Sequence, residues 1–176
     1  MNRPDNELLR QMFSVHLFGT SLGASHFFLV FLVLLGISTP TIADDTVVVT
    51  VTHSDFRTAH DGLIEAIESE GLVVGNTLPF RDMLARTAVG GGAIPYGEAE
   101  IIQFCSSVLA AELVREDPRQ LTLCPLSVAL YSLVEKPTEI HLAYRSPGGS
   151  TAGRRRAESL LQRIVRRAAG LARLHW

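Results

Sequence analysis

An α+β fold is expected for this chain: a two-layer sandwich with a mainly antiparallel sheet, helices on one face, the element order βαβ(α)βαββ, and a C-terminal amphipathic helix. Three observations predict it. Strand-like and helix-like patterns alternate from Val47 onward, the last two strand signals follow each other as a hairpin, and residues 154–176 carry an apolar stripe at helical spacing.

Val47, Val48, Val49, Thr50 and Val51 form a run that is β-branched throughout, which suits a strand. Phe56, Ala59, Leu63, Ile64 and Ile67 then recur at helical spacing, with Ser54 or Asp55 available as N-cap and Gly71 as C-terminal stop. Leu72, Val73 and Val74 read as the second strand, residues 79–88 as a short helix carrying Met83 and Leu84, and residues 90–97 as a flexible Gly-rich loop. Residues 101–104 make a short strand. Ser106 or Ser107 caps a helix through Val108, Leu109, Leu113 and Val114 that ends at Asp117-Pro118. Residues 121–134 are strand-rich but too interrupted for one plain strand, because Pro125 cannot donate to a ladder. A turn at residues 135–138 leads to a last strand at residues 139–144. Ser146 to Gly153 is a linker by composition. Beyond it Leu160, Leu161, Ile164, Val165, Ala168, Leu171 and Ala172 share one helical stripe, with arginines opposite and flanking. The expected organisation is a leader over 1–43, an α/β sandwich domain over 44–145, a linker over 146–153 and a basic amphipathic helix over 154–176.

Of 176 residues 47% are hydrophobic and 19% charged, with 2 Cys, which excludes a disordered chain, a disulfide-dense mini-protein and a multi-span membrane protein. The net charge of -2 hides an asymmetry. Residues 44–144 carry 15 acids against 6 bases, whereas from Arg145 onward 8 arginines face Glu158 alone. The basic helix is expected either to dock on the acidic body or to attach to an anionic membrane surface through residues 154–174. Nucleic acid is not an expected partner, since aromatic residues are not interleaved with the arginines.

Phe27 to Ile37 is apolar for 11 residues, Pro40 interrupts, and Thr41-Ile42-Ala43 precedes two aspartates. That order is an h-region and a small-residue cleavage site, so a signal peptide cut after Ala43 is expected, with an N-terminal membrane anchor as the alternative. The charges of the preceding residues cancel, which leaves open a true start at Met12 or an uncleaved leader. In either form the body is placed outside the cytoplasm, in the periplasm or anchored facing it.

Cys105 stands where a strand meets a helix N-terminus, and Cys124 follows 19 residues later, just before Pro125. A structural disulfide, two separately buried thiols, a redox-active pair with Cys105 attacking and Cys124 resolving, and a metal or haem ligand set are the readings open to them. No C-x-x-C or C-x-x-C-H is present. His53, His60, His141 and His175 show no metal-ligand spacing, the acids show none beyond that of solvated helix faces, and Gly90 to Gly92 lack a phosphate-loop ending. No catalytic constellation is assigned, no cofactor is expected, and metal is assigned to no residue.

Phe104-Cys105-Ser106-Ser107, Glu116-Asp117-Pro118-Arg119 and the run from Leu123 through Cys124-Pro125 to Tyr131 together resemble the family catalogued as domain of unknown function 302, in an exported branch. The resemblance covers Val47 to Tyr144. It implies a compact α/β sandwich, often dimeric, and no established activity; other members carry Pro-Cys where this chain has Cys124-Pro125, so no role for that sulfur carries over. The expected function is a non-enzymatic exported domain that binds a small ligand or partner through Cys105, Ser106, Tyr96, Tyr131 and the 90–97 loop. The alternatives are thiol-based redox or sulfur handling by Cys105 and Cys124, and metal or haem carriage.

Overall fold

The computed structural model of the chain describes residues 45–87 and 92–174. The expected leader and its cleavage point lie outside them, as does His175. Five strands form one antiparallel sheet in the order β1-β5-β4-β3-β2: β1 (Thr46–Thr52), β2 (Val74–Leu78), β3 (Tyr96–Phe104), β4 (Leu126–Leu133) and β5 (Lys136–Arg145). Among the described residues four α-helices accompany it: α1 (Phe56–Ser69), α2 (Phe80–Thr87), α3 (Ser107–Glu116) and α4 (Ala152–Leu174). A 3-10 helix spans Pro118–Leu123. The fold is the expected α+β sandwich.

Alternation along the strands sets the two faces. Val51, Ile102, Phe104, Leu126, Val128, Leu130, Ile140, Leu142 and Tyr144 point into the core, where they meet Leu63 and Ile67 of α1, Leu109 and Leu113 of α3, and the stripe of α4. Alpha-1 starts where Asp55 accepts a hydrogen bond from Thr58 N, and ends where Gly71, at φ 74, lets the amides of Gly71 and Leu72 reach the carbonyls of Glu68 and Ile67. Gly62 permits the close crossing of α1 and α4, since a Cβ there would stand 3.2 Å from Leu171 Cβ and 3.4 Å from Ala168 O.

The C-terminal helix is part of this core. Leu161, Ile164, Val165 and Ala168 are essentially inaccessible to solvent, so the apolar stripe is spent inside the sandwich and only the basic side faces out. That side is matched to the acidic body: Arg163 makes two bonds to Glu70, at 3.0 and 2.9 Å, and Arg156 lies 2.7 Å from Glu112. Such exposed pairs add little stability, and the buried stripe sets which side of the helix faces the sheet.

The expected linker needs correction. Residues 152 and 153 belong to α4, and the preceding segment is pinned rather than flexible. Thr151 Oγ1 accepts from Arg154 N, Glu116 accepts from Gly153 N at 2.8 Å, and buried Gln120 donates to Leu113 O and accepts from Arg154. The bonds from Arg154 N and Gly153 N satisfy amides that a helix start leaves without partners. On the other side of the segment, Glu158 accepts from Tyr144 at 2.7 Å, Ser146 at 2.6 Å and Gln162 at 2.8 Å.

Burial raises the Glu158 pKa, but the bonds from Ser146, Tyr144 and Gln162 outweigh it and hold the carboxyl below its ordinary value; burial and then Glu158 push Tyr144 up. A folded-state pKa below the unfolded one gives stability that is full above the unfolded value, about 4.3, and is lost as pH falls through the folded value. Glu158→Gln is therefore expected to flatten the acid limb of stability below pH ~4.5. Urea midpoints measured across that range check it; an unchanged acid limb would show that Glu158 does not carry it.

Four strand or turn boundaries also differ from expectation. Beta-2 is shifted to Val74–Leu78, because Val73 is 78% exposed, and a register irregularity between Val74 and Asn76 interrupts its pairing with β3. Beta-3 starts at Tyr96, absorbing the end of the expected loop. Residues 121–123 are 3-10 helix, started by Asp117 and Pro118. The hairpin turn is only residues 134–135, and Lys136 already pairs with Leu133.

Candidate functional site

The residues expected to form one binding face fall into two groups at opposite ends of β3. Tyr96, at its start, meets Tyr131 of β4 edge-on at 5.5 Å; Tyr131 stacks on His141 of β5 at 4.8 Å, and Phe80 of α2 meets Tyr96 at 6.2 Å. This aromatic row lies on the sheet face away from α1 and α4, since Tyr131 alternates with core residues Leu130 and Ser132. Burial, then Tyr96, raises the Tyr131 pKa. His141 shares a 3.0 Å hydrogen bond with Thr50 and stands 3.4 Å from Glu139; its Nε2 has no hydrogen-bond partner among the described residues. His60 is on α1, 3.5 Å from Glu100, and exposed His53 holds a left-handed φ of 58 at the β1–α1 turn, so the histidines are not gathered.

Cys105 and Ser106 lie past the other end of β3, about 30 Å of extended chain from Tyr96. Phe104 pairs with Leu126, and this register brings the two cysteines together. Cys105 and Cys124 are joined as a disulfide, with Cα atoms 6.3 Å apart. Of the readings open for the two sulfurs, the structure holds the disulfide. Ser106 is the N-cap of α3, its hydroxyl accepting from Leu109 N, so it serves the helix start. Among the described residues no group of three or more His, Cys, Asp or Glu is placed to hold a metal ion, and no helix is long and apolar enough to cross a membrane.

A cleft that the sequence did not reveal adjoins the disulfide. The β4–β5 ladder stops at Ala129 and Ala143, while β3 keeps pairing with β4 as far as Leu126 and β1 with β5 as far as Arg145. The two central strands therefore part at this end. A cavity of about 330 Å³ lies there, lined by Thr122, Leu123, Pro125, Leu126, Ser127, Arg145, Ser146, Pro147 and Leu161. Its lining joins apolar Leu123, Pro125, Leu126, Pro147 and Leu161 to polar Thr122, Ser127, Ser146 and Arg145. The Arg145 guanidinium is 83% exposed and only loosely paired, 3.9 Å from Asp45. The disulfide anchors one wall through Leu123 and Pro125, which flank Cys124. The opposite wall is held by Arg154, which donates to Pro147 O at 2.6 Å, and by the Ser146 bond to Glu158.

These features define an α+β sandwich domain stapled by one disulfide, with an open cleft where its central strands diverge. A family model described as "Domain of unknown function DUF302" matches residues 47–171, and the chain belongs to that family. The match extends past the Val47–Tyr144 region that carries the sequence resemblance, taking in most of α4, as a helix that supplies the core must be. The crystal structure of an uncharacterized conserved protein DUF302 from Bacillus stearothermophilus is similar in fold, with a TM-score of 0.52 at 16% identity over 74% of this chain and 98% of that one. No curated protein matches the sequence.

Proposed function

We propose that the chain is an exported, non-enzymatic domain that binds a small molecule with an acidic head and a short apolar body in the cleft between the ends of β4 and β5. The cleft carries this reading: its volume of about 330 Å³ is at the small end of ligand sites, and its lining mixes apolar side chains with polar ones. Arg145, only loosely paired, supplies the charge and Ser127 a hydroxyl, while the hydroxyls of Thr122 and Ser146 are donated to Arg119 O and Glu158. Export is supported by the apolar run and Ala43 of the leader, and a disulfide suits an oxidising compartment.

The test is titration of the purified, oxidised chain with short-chain monocarboxylates, read by thermal shift and calorimetry. Binding is expected, and Arg145→Ala is expected to weaken it at least ~10-fold, since a hydrogen bond to a charged group contributes roughly 1.5–3 kcal/mol. Equal binding by the variant, or none by the wild type, would sink the assignment.

A further inference from the structure

We infer that the Cys105–Cys124 disulfide undergoes thiol–disulfide exchange, with Cys105 as the sulfur that joins an incoming thiol. The two sulfurs are not equivalent. Cys105 is exposed, whereas Cys124 is half-buried between the 3-10 helix and β4. Cys105 immediately precedes N-cap Ser106, and the first turn of α3 carries no acidic side chain to compete with a thiolate there. A cavity of about 240 Å³ opens beside that turn; its lining reaches Ser106, the neighbour of Cys105, and includes apolar Leu72, Val108 and Leu109 and the paired Glu112 and Arg156. The frame around the bond is held independently of it: β3 pairs with β4 up to Phe104 and Leu126, and α3 is fixed by buried Leu109 and Leu113. Both sulfurs therefore stay near each other when the bond opens.

The step balances as an exchange. A substrate thiolate attacks Cys105 Sγ, forming a mixed disulfide, and Cys124 leaves as a thiolate that takes a proton from solvent. A second substrate thiolate then attacks the substrate sulfur of the mixed disulfide and displaces Cys105, so two thiols become one disulfide while the Cys105–Cys124 pair is reduced. The partner is a cysteine thiol, either of a small compound or of a polypeptide. This reaction does not depend on the cleft or on its ligand.

Two measurements on the full chain test it. In the first, the oxidised protein is equilibrated in buffers of graded reduced and oxidised glutathione, quenched by alkylation and weighed. The pair is expected to pass from oxidised to reduced within that series while the protein remains folded; a pair that stays oxidised throughout, or opens only on unfolding, overturns the inference. In the second, Cys124→Ser and Cys105→Ser are exposed to oxidised glutathione and to the disulfide dimer of a short peptide with one cysteine. Cys105 is expected to form mixed disulfides at least tenfold faster than Cys124, and the faster probe identifies the source of the thiol. Equal rates, or the reverse order, overturn it. Should a variant fail to fold, the mixed disulfide trapped in the wild type is located by peptide mass, and its place on Cys124 would count against Cys105.

Discussion

A chain ended after Thr151 is expected to lose cooperative folding. Helix α4 contributes nine buried residues, and Leu160, Leu161, Ile164 and Val165 among them are large side chains facing the sheet and α1. Each fully buried side chain of this size stabilises by roughly 1.5–3 kcal/mol, so these four approach the whole net stability of a typical domain, about 5–15 kcal/mol. Their loss would also uncover Ala59, Leu63 and Ala66 on α1, and would take from Glu116 the bond from Gly153 N and from Gln120 the bond from Arg154. The expected record in circular dichroism is reduced helix signal with no sharp thermal transition. A cooperative melt close to that of the intact chain would show that the body holds together without α4.

The second large effect is that of the disulfide on stability. Cys105 and Cys124 are 19 residues apart, and closing a loop of that size restricts the unfolded chain by about 3 kcal/mol on the entropic model. Reduction, or the double change to serine, is expected to lower the melting temperature by roughly 10 °C while leaving the native circular dichroism spectrum unchanged. The loss falls on the side of the unfolded state, so the β3–β4 pairing and the α3 packing persist below the transition. Reduced protein that is unfolded at room temperature would mean that the staple holds the native strands in place, and would remove the preformed frame on which exchange depends.

Much of this fold is legible in the residues themselves. The strand of Val47 to Val51, the periodicity of Phe56 to Ile67 and the stop at Gly71 each act locally, and each appears where the pattern puts it. The meeting of the cysteines follows from strand order, because a helix returning the chain to an adjacent strand brings 105 and 124 to the same end of the sheet. The charge asymmetry likewise anticipates docking: Arg156 and Arg163 find Glu112 and Glu70.

The unread parts have physical reasons. An edge strand such as β2 pairs on one side only, so Gly75 and Asn76 are tolerated and the β-branched signal at Val73 is left in solvent. The first half of β3 holds Gly97, Glu98 and Ala99, which lack strand-forming side chains and are held by pairing with β4. Placing Tyr96 and Cys105 in one site ignored the length of the strand between them. The cleft depends on where two ladders stop and on walls from three separate segments, a relation that no local pattern encodes.

The central functional assignment, ligand binding where β4 and β5 part, is tested most directly by amide chemical-shift mapping of the isotope-labelled, oxidised chain during titration with short-chain monocarboxylates. Saturable shifts confined to residues 122–127, Arg145, Ser146 and the neighbourhood of Leu161 are expected. Shifts gathered instead around Phe80, Tyr96, Tyr131 and His141, or no saturable shifts at all, would contradict it.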